Sequence, residues 1–351
     1  MNASSITDRG RSVFDLEYIR LESIEQRTIL FRSNAWREAQ DHIRRLRENP
    51  RSFLGLIDSD ISRESWEKTF WEELSITCAT DLRTFTHALG VAHILHWMWT
   101  GHGETAAYLA QTLGDQREDV SPGVLFAAAL LHDIGKRLII DVVHDKRTKR
   151  EWALLANKTS GDELFAEEFI RPVEEGGLPD PALDIYLHAI GDPINIVPIE
   201  QAFPETALAT LSRRGIPSSL TFREVIELHE AGTGLLLEAY PDMGQVAEIA
   251  AWHHPSRTKT IDSERYPIAT SALRIAVMQC LYLADTFEAL MSGFRTYKGR
   301  FDLCDALGII VQETERHAID PALTRAFVTD QLHHDRSANR PINLLVAGCS
   351  H

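Results

Sequence analysis

The chain has 351 residues, 44% of them hydrophobic and 25% charged, a balance that calls for a sizeable folded core and excludes global disorder. Lys and Arg number 36 against 51 Asp and Glu, a net charge of −15. That excess argues against a nonspecific grip on polymeric nucleic acid or an anionic membrane, and leaves room for a small anion held by a metal and a few local cations.

In chain order, residues 13–48 carry Phe14, Leu16, Ile19, Leu21 and Ile24 among many charges, a spacing that predicts one or two solvent-exposed amphipathic helices closed by Asn49-Pro50. Residues 62–74 predict another helix, with Trp66, Phe70, Trp71 and Leu74 on one side. From Leu82 to Trp99 comes an apolar helix studded with histidine and ended by Gly101 and Gly103, then a short helix of small residues at 105–113. Ser121-Pro122 is a helix-start signal, with Ser as N-cap and Pro at the first helical position. The segment that follows, GVLFAAALLHDIG, is apolar nearly all round and predicts a buried helix ending in polar chemistry. Residues 141–220, rich in Gly and Pro, predict an irregular, partly helical excursion; regular helix returns at 221–240, 243–253 and about 270–292, with helical spacing around Asp320-Pro321 in 303–336. Strand signals are scarce, so the fold class is all-α.

The cysteines, Cys78, Cys280, Cys304 and Cys349, are too dispersed for a CxxC motif and fit a reducing compartment. The first residues lack the apolar core of a signal peptide. The longest stretch without Asp, Glu, Lys or Arg, residues 84–103, contains His87, His93, His96 and His102, which a bilayer would penalise. A cytoplasmic protein with no membrane contact is expected.

The chemistry concentrates in few places. His132-Asp133 ends a greasy helix, where a carboxylate and an imidazole are costly to bury unless a charge meets them; a divalent cation would do so. Lys136 follows Asp133 by three residues, on the same side of a helical turn. His87, His229 and the doublet His253-His254 each punctuate an apolar helix or its end, and Asp285 sits inside the apolar run LYLADTFEAL. Each alone reads more readily as a locally satisfied polar group. Five such placements on five helices read as a ligand set, and imidazole with carboxylate suits Fe, Mn or Zn better than Ca or Mg. Seven ligands exceed what one ion needs, so two ions are expected, with Asp133 as the natural bridge.

The order H…HD…H…HH…D, together with LLHDIGK at 130–136, LTFREVIELHEAG at 220–232 and the run at 272–298, resembles the HD phosphohydrolase superfamily and within it the HD-GYP branch. The resemblance implies a helical-bundle fold and a phosphodiesterase acting on a cyclic dinucleotide, chiefly cyclic di-GMP. By the same resemblance His87, His132, Asp133 and Asp285 hold one metal. His229, His253 and His254 hold the second, with Asp133 bridging and a hydroxide between the two ions as nucleophile. Fe or Mn comes first, with Zn, Ni or Co as alternatives. Lys136, Tyr266, Arg295 and Lys298 fall where the branch contacts substrate, and solvated loop positions are an equal reading of Arg295 and Lys298. The GYP signature is degraded to DSERYP at 262–267 and lies four residues further from the His doublet than in the branch. Arg83 stands where members with three metals carry Glu. His132 and His229 are unusually far apart, the excursion filling the gap as a lid, a dimer contact or a partner-binding insert; within it Asp184 and His188 read as a surface pair. The expected organisation is an N-terminal helical region over 1–78 for packing or dimerisation, a metal-dependent unit over 79–335 with an insertion at about 141–218, and a tail over 336–351. The alternatives are another nucleotide phosphoester as substrate, or a signalling scaffold of the same fold.

Overall fold

The computed structural model describes residues 14–139, 198–201, 205–254, 272–292, 301–317 and 319–336. Over these residues it is helical, with no β-sheet; a single isolated bridge pairs Pro198 with Thr221. In order the α-helices are α1 (Leu16–Leu30), α2 (Asn34–Glu48), α3 (Phe53–Ile61), α4 (Glu67–Thr80), α5 (Leu82–Thr100), α6 (Glu104–Leu113), α7 (Pro122–Leu131), α8 (Glu205–Arg213), α9 (Phe222–Glu238), α10 (Gly244–Ala250), α11 (Ala272–Met291), α12 (Leu303–His317) and α13 (Pro321–Arg336). The fold class is all-α, as the sequence predicts. No helix among the described residues is long and apolar enough to cross a membrane.

The local signals act as read. Ser33, Ser52 and Ser121 cap α2, α3 and α7 by accepting from the backbone N–H three residues on, at 3.1, 3.0 and 3.1 Å. Thr221 and Glu224 close α9 with a reciprocal capping box. Two readings differ. The helix expected over 62–74 runs instead from Glu67 to Thr80, because Ser62–Glu64 turn rather than continue and Ser75 and Thr77 return their hydroxyls to carbonyls four residues back. And α3 is absent from the sequence reading: its nine residues, with Phe53, Leu54, Ile57 and Ile61 all buried, are too short a run for periodicity to declare.

One continuous core holds most of these helices. Ile43 of α2, Phe53 and Ile57 of α3, Phe70 of α4, Leu95 of α5, Phe126 of α7, Leu281 of α11 and Phe327 of α13 belong to it. At its centre α7 is buried from Gly123 to Leu131, apolar on every side as a fully enclosed helix must be. A satellite core joins Phe14 and Ile19 to Leu138, Ile139, Leu211, Ile216 and Val225. There Arg214 donates to the carbonyl of Leu138 at 2.8 Å and to Glu22 of α1 at 2.9 and 3.1 Å, fastening α1 and the described end of the excursion to the chain just after α7. A buried carboxylate, Glu73 of α4, takes charge from two sides: Arg137 reaches it at 2.7 Å, Arg27 of α1 contacts its other oxygen, and the Tyr240 hydroxyl donates to that oxygen at 2.5 Å. Phe126 is a sensitive core position, since its ring is fully buried and meets Phe53 edge-on at 6.1 Å. Phe126→Ala should lower unfolding free energy by about 3–5 kcal/mol, read as a shift in denaturant midpoint.

Candidate metal centre

Five stretches of chain deliver polar groups to one buried place, each by local logic. Asp81 caps α5 by accepting from Arg83 and Thr84 N–H at 3.1 Å each, and one turn later α5 presents His87 inward. The helix α7 stops at His132; Asp133 follows, and Ile134–Leu138 tighten into a 3₁₀ turn. That turn lies against α9 so closely that a side chain at Gly135 would sit 1.9 Å from the His229 carbonyl oxygen, a clearance only glycine allows. Thr233 clasps the contact, accepting from Gly135 N–H at 3.0 Å and donating to the His132 carbonyl at 2.8 Å. This seats His229 over Asp133. His253 and His254 emerge just past the end of α10, and Asp285 comes from the middle of α11.

The resulting distances define two groups that share one carboxylate. On one side His87 Nε2 is 2.8 Å from Asp285 Oδ1 and 3.6 Å from Asp133 Oδ2, while His132 Nε2 is 3.4 Å from Asp133 Oδ2 and 3.7 Å from Asp285 Oδ1. On the other side His229 and His253 Nε2 lie 3.4 and 3.9 Å from Asp133 Oδ1 and 3.1 Å from each other. His254 completes this side and also faces Asp285 Oδ2 at 3.7 Å. Three sets have ligand atoms close enough to hold an ion: His87, His132 and Asp285; His229, His253 and His254; and His132, Asp133 and His253. All seven residues expected as ligands are therefore brought together.

Ring orientation decides whether this set suits a cation. His132, His229 and His253 each donate Nδ1–H to the carbonyl three residues back, Ala129 at 2.7 Å, Ile226 at 2.5 Å and Ala250 at 2.7 Å. A carbonyl only accepts, so Nδ1 carries the proton and Nε2 turns a lone pair into the site. The Nε2 atoms of His229 and His253 then oppose each other at 3.1 Å, which is repulsive unless a positive charge lies between. His132 Nε2 is buried without a hydrogen-bond partner. Opposed lone pairs, an orphaned nitrogen and two buried carboxylates are a donor set that fits a transition-metal ion.

The electrostatics agree. Burial alone would push Asp133 up, but Lys136, His132 and His229 hold it well below the usual carboxylate range. Asp285 is likewise held down, by His132 and His87 against the pull of burial. His229 is pushed by burial down to about 4, and His253 well below its ordinary value by burial and the neighbouring imidazoles, so both are neutral donors near pH 7. His132 goes the other way: burial lowers it, yet the two carboxylates carry it up to about 10. Where protons are the only cations at hand, this ring takes one.

Residues 84–216 match the family model described as HD domain. The match supports placing this segment in the HD superfamily, whose domains are typically metal-dependent phosphohydrolases acting on phosphoester substrates. It contains His87, His132 and Asp133 and ends before His229, His253, His254 and Asp285. No curated protein and no solved structure matches the chain.

Of the residues expected at the substrate, Lys136 contacts Asp133 Oδ2 directly. Tyr266, Arg295 and Lys298 lie outside the described residues, as do the DSERYP segment, Asp184 and His188. Arg83 is exposed, one turn before His87. Sequence reasoning missed Glu288, which meets His87 Nδ1, although its place three residues after Asp285 on the same helix was the available signal. It also missed the Gly135–Thr233 clasp, which no spacing encodes.

Two outcomes follow from this geometry. Below about pH 10 a cation must displace the His132 proton, so metal uptake should release a proton and weaken as pH falls, by about tenfold per pH unit for each proton displaced. Calorimetry in buffers of different ionisation enthalpy measures that release directly. Gly135→Ala should force α9 away from the turn, destabilise the chain by about 1–3 kcal/mol or more, and reduce metal retention measured on the same sample.

Proposed function

We propose that the chain is a metal-dependent phosphodiesterase that opens a cyclic dinucleotide, cyclic di-GMP first among them, at a site holding two ions. The observation that carries the two-ion reading is the division of Asp133: Oδ2 faces His87 and His132, and Oδ1 faces His229 and His253. A carboxylate so divided suits a bridge between neighbouring ions. When bound, a pair of divalent ions supplies neutralisation of phosphoryl charge and a water acidic enough to lose its proton near neutral pH.

The chain's own residues account for the rest. His87, His132 and Asp285 would serve one ion and His229, His253 and His254 the other. His132 and His253 are fully buried, whereas the His254 side chain is 34% exposed, so substrate would approach from the side of His254. Lys136, partly exposed beside Asp133, places an ammonium where a phosphoryl oxygen would arrive, offsetting locally the repulsion that a chain of net charge −15 exerts on an anion. Arg295, Lys298 and Tyr266 are proposed as further substrate contacts on the strength of the resemblance. Residues 79–335 are proposed as the catalytic unit and the preceding helices as its packing partner or a dimer contact. Fe and Mn are the proposed metals, since imidazole and carboxylate together favour them over Mg or Ca.

The test is hydrolysis of cyclic di-GMP, other cyclic dinucleotides and nucleotide monoesters by protein loaded with Mn or Fe, with metal content measured on the same samples. The expected result is about two ions per chain and cleavage of a cyclic dinucleotide to its linear product. Asp133→Asn should lose metal and activity together; a metal-replete Asp133→Ala enzyme running at full rate ends this reading, and cleavage confined to monoesters ends the choice of substrate.

A further inference from the structure

His87 differs from the other buried imidazoles of the site. His132, His229 and His253 are oriented by carbonyls of their own backbone, three residues back. His87 Nδ1 instead meets a side chain from another helix, the carboxylate of Glu288, which is 6% exposed and lies 201 residues away in sequence. The two ring nitrogens point in opposite directions. With Nε2 turned to Asp285 and Asp133, Glu288 sits behind the ring, outside every group of ligand atoms close enough to hold an ion. Its place is made by a missing side chain: Gly90, one turn after His87 on α5, would with a Cβ come within 2.7 Å of Glu288 Cγ and 3.1 Å of its Oε1.

Resting on the metal-site reading above, we infer that Glu288 is the positioning residue of His87. Its carboxylate accepts Nδ1–H, fixes the tautomer that turns the Nε2 lone pair inward, and makes that nitrogen a stronger donor, with Gly90 keeping the space in which it does so. The consequence is asymmetric. Glu288 acts on the group of His87, His132 and Asp285 and leaves the group of His229, His253 and His254, where backbone carbonyls orient His229 and His253, untouched.

The experiment titrates the full chain, after chelator treatment, with Mn²⁺ and counts sites and affinities for the unsubstituted protein, Glu288→Ala, Glu288→Gln and Gly90→Ala. Melting temperature and circular dichroism serve as controls on the fold. Glu288→Ala should weaken one site by about 10–100-fold and leave the other at its original affinity. Glu288→Gln keeps an acceptor oxygen and should recover most of that loss, while Gly90→Ala, acting from a different helix, should weaken the same site. A second readout needs no metal: ¹⁵N NMR of the His87 ring should show a proton on Nδ1 in the unsubstituted protein and in Glu288→Gln, and its loss from Nδ1 in Glu288→Ala, where only Nε2 keeps a carboxylate acceptor, Asp285 at 2.8 Å. Two Mn²⁺ sites of unchanged affinity in Glu288→Ala, equal weakening of both sites with a lowered melting temperature, or an Nδ1 without its proton in the unsubstituted protein each overturn the role of Glu288. An unsubstituted protein that binds no Mn²⁺ overturns the metal reading itself, and the NMR result then tells the two failures apart.

Discussion

Everything in this fold answers to two carboxylates that water does not reach. Asp133 and Asp285 are 2% and 5% exposed, and an ionised carboxylate in such a place is ruinous to stability unless positive charge surrounds it. Lys136 brings a full charge and His132 takes a proton beside them, while the neutral rings of His229 and His253 converge with lone pairs that a cation would meet. The greasy helices that carry these groups are the means of convergence. An apolar helix such as α7 must be enclosed on all sides, and whatever stands at its end is carried into the interior with it.

The rings are held by the least expensive device a helix offers. A histidine whose χ angles fold it back onto its own turn finds the carbonyl three residues earlier within reach, so its tautomer is set by the backbone it already belongs to. His132, His229 and His253 all use it. Backbone contacts thus turn the donors inward, an arrangement that favours binding with little reorganisation. A second buried charge, Glu73, performs a different task at a distance: by pairing with Arg137 it ties the turn bearing Lys136 to α4, and through Arg27 to the N-terminal helix.

What could be read from the sequence depended on whether a residue violated its surroundings. His87, Asp133, His229, His253 and Asp285 were legible because each interrupts an apolar run, where a polar side chain must be explained. Glu288 interrupts the same apolar run as Asp285, three residues on, but the sequence does not name its partner, which appears only once α5 lies against α11. α3 was invisible for a different reason: nine residues are too few for a helical period to stand out. The Gly135–Thr233 contact and the Arg27–Glu73–Arg137 chain of charge are made by packing between distant segments, and no local pattern announces them.

The clasp at Gly135 has a bearing on how this molecule assembles. Gly135 and Thr233 stand 98 residues apart, so two strings of backbone must find each other across a long loop before half the ring of donors exists. Contacts of such separation must meet the entropy of closing the loop between them before they contribute stability. Closing a loop costs free energy only as the logarithm of its length, about 0.6 kcal/mol for each doubling. A long connection between the two backbones therefore costs little more to close than a short one. The Gly135–Thr233 contact thus joins two segments distant in sequence into one wall of the ligand cluster.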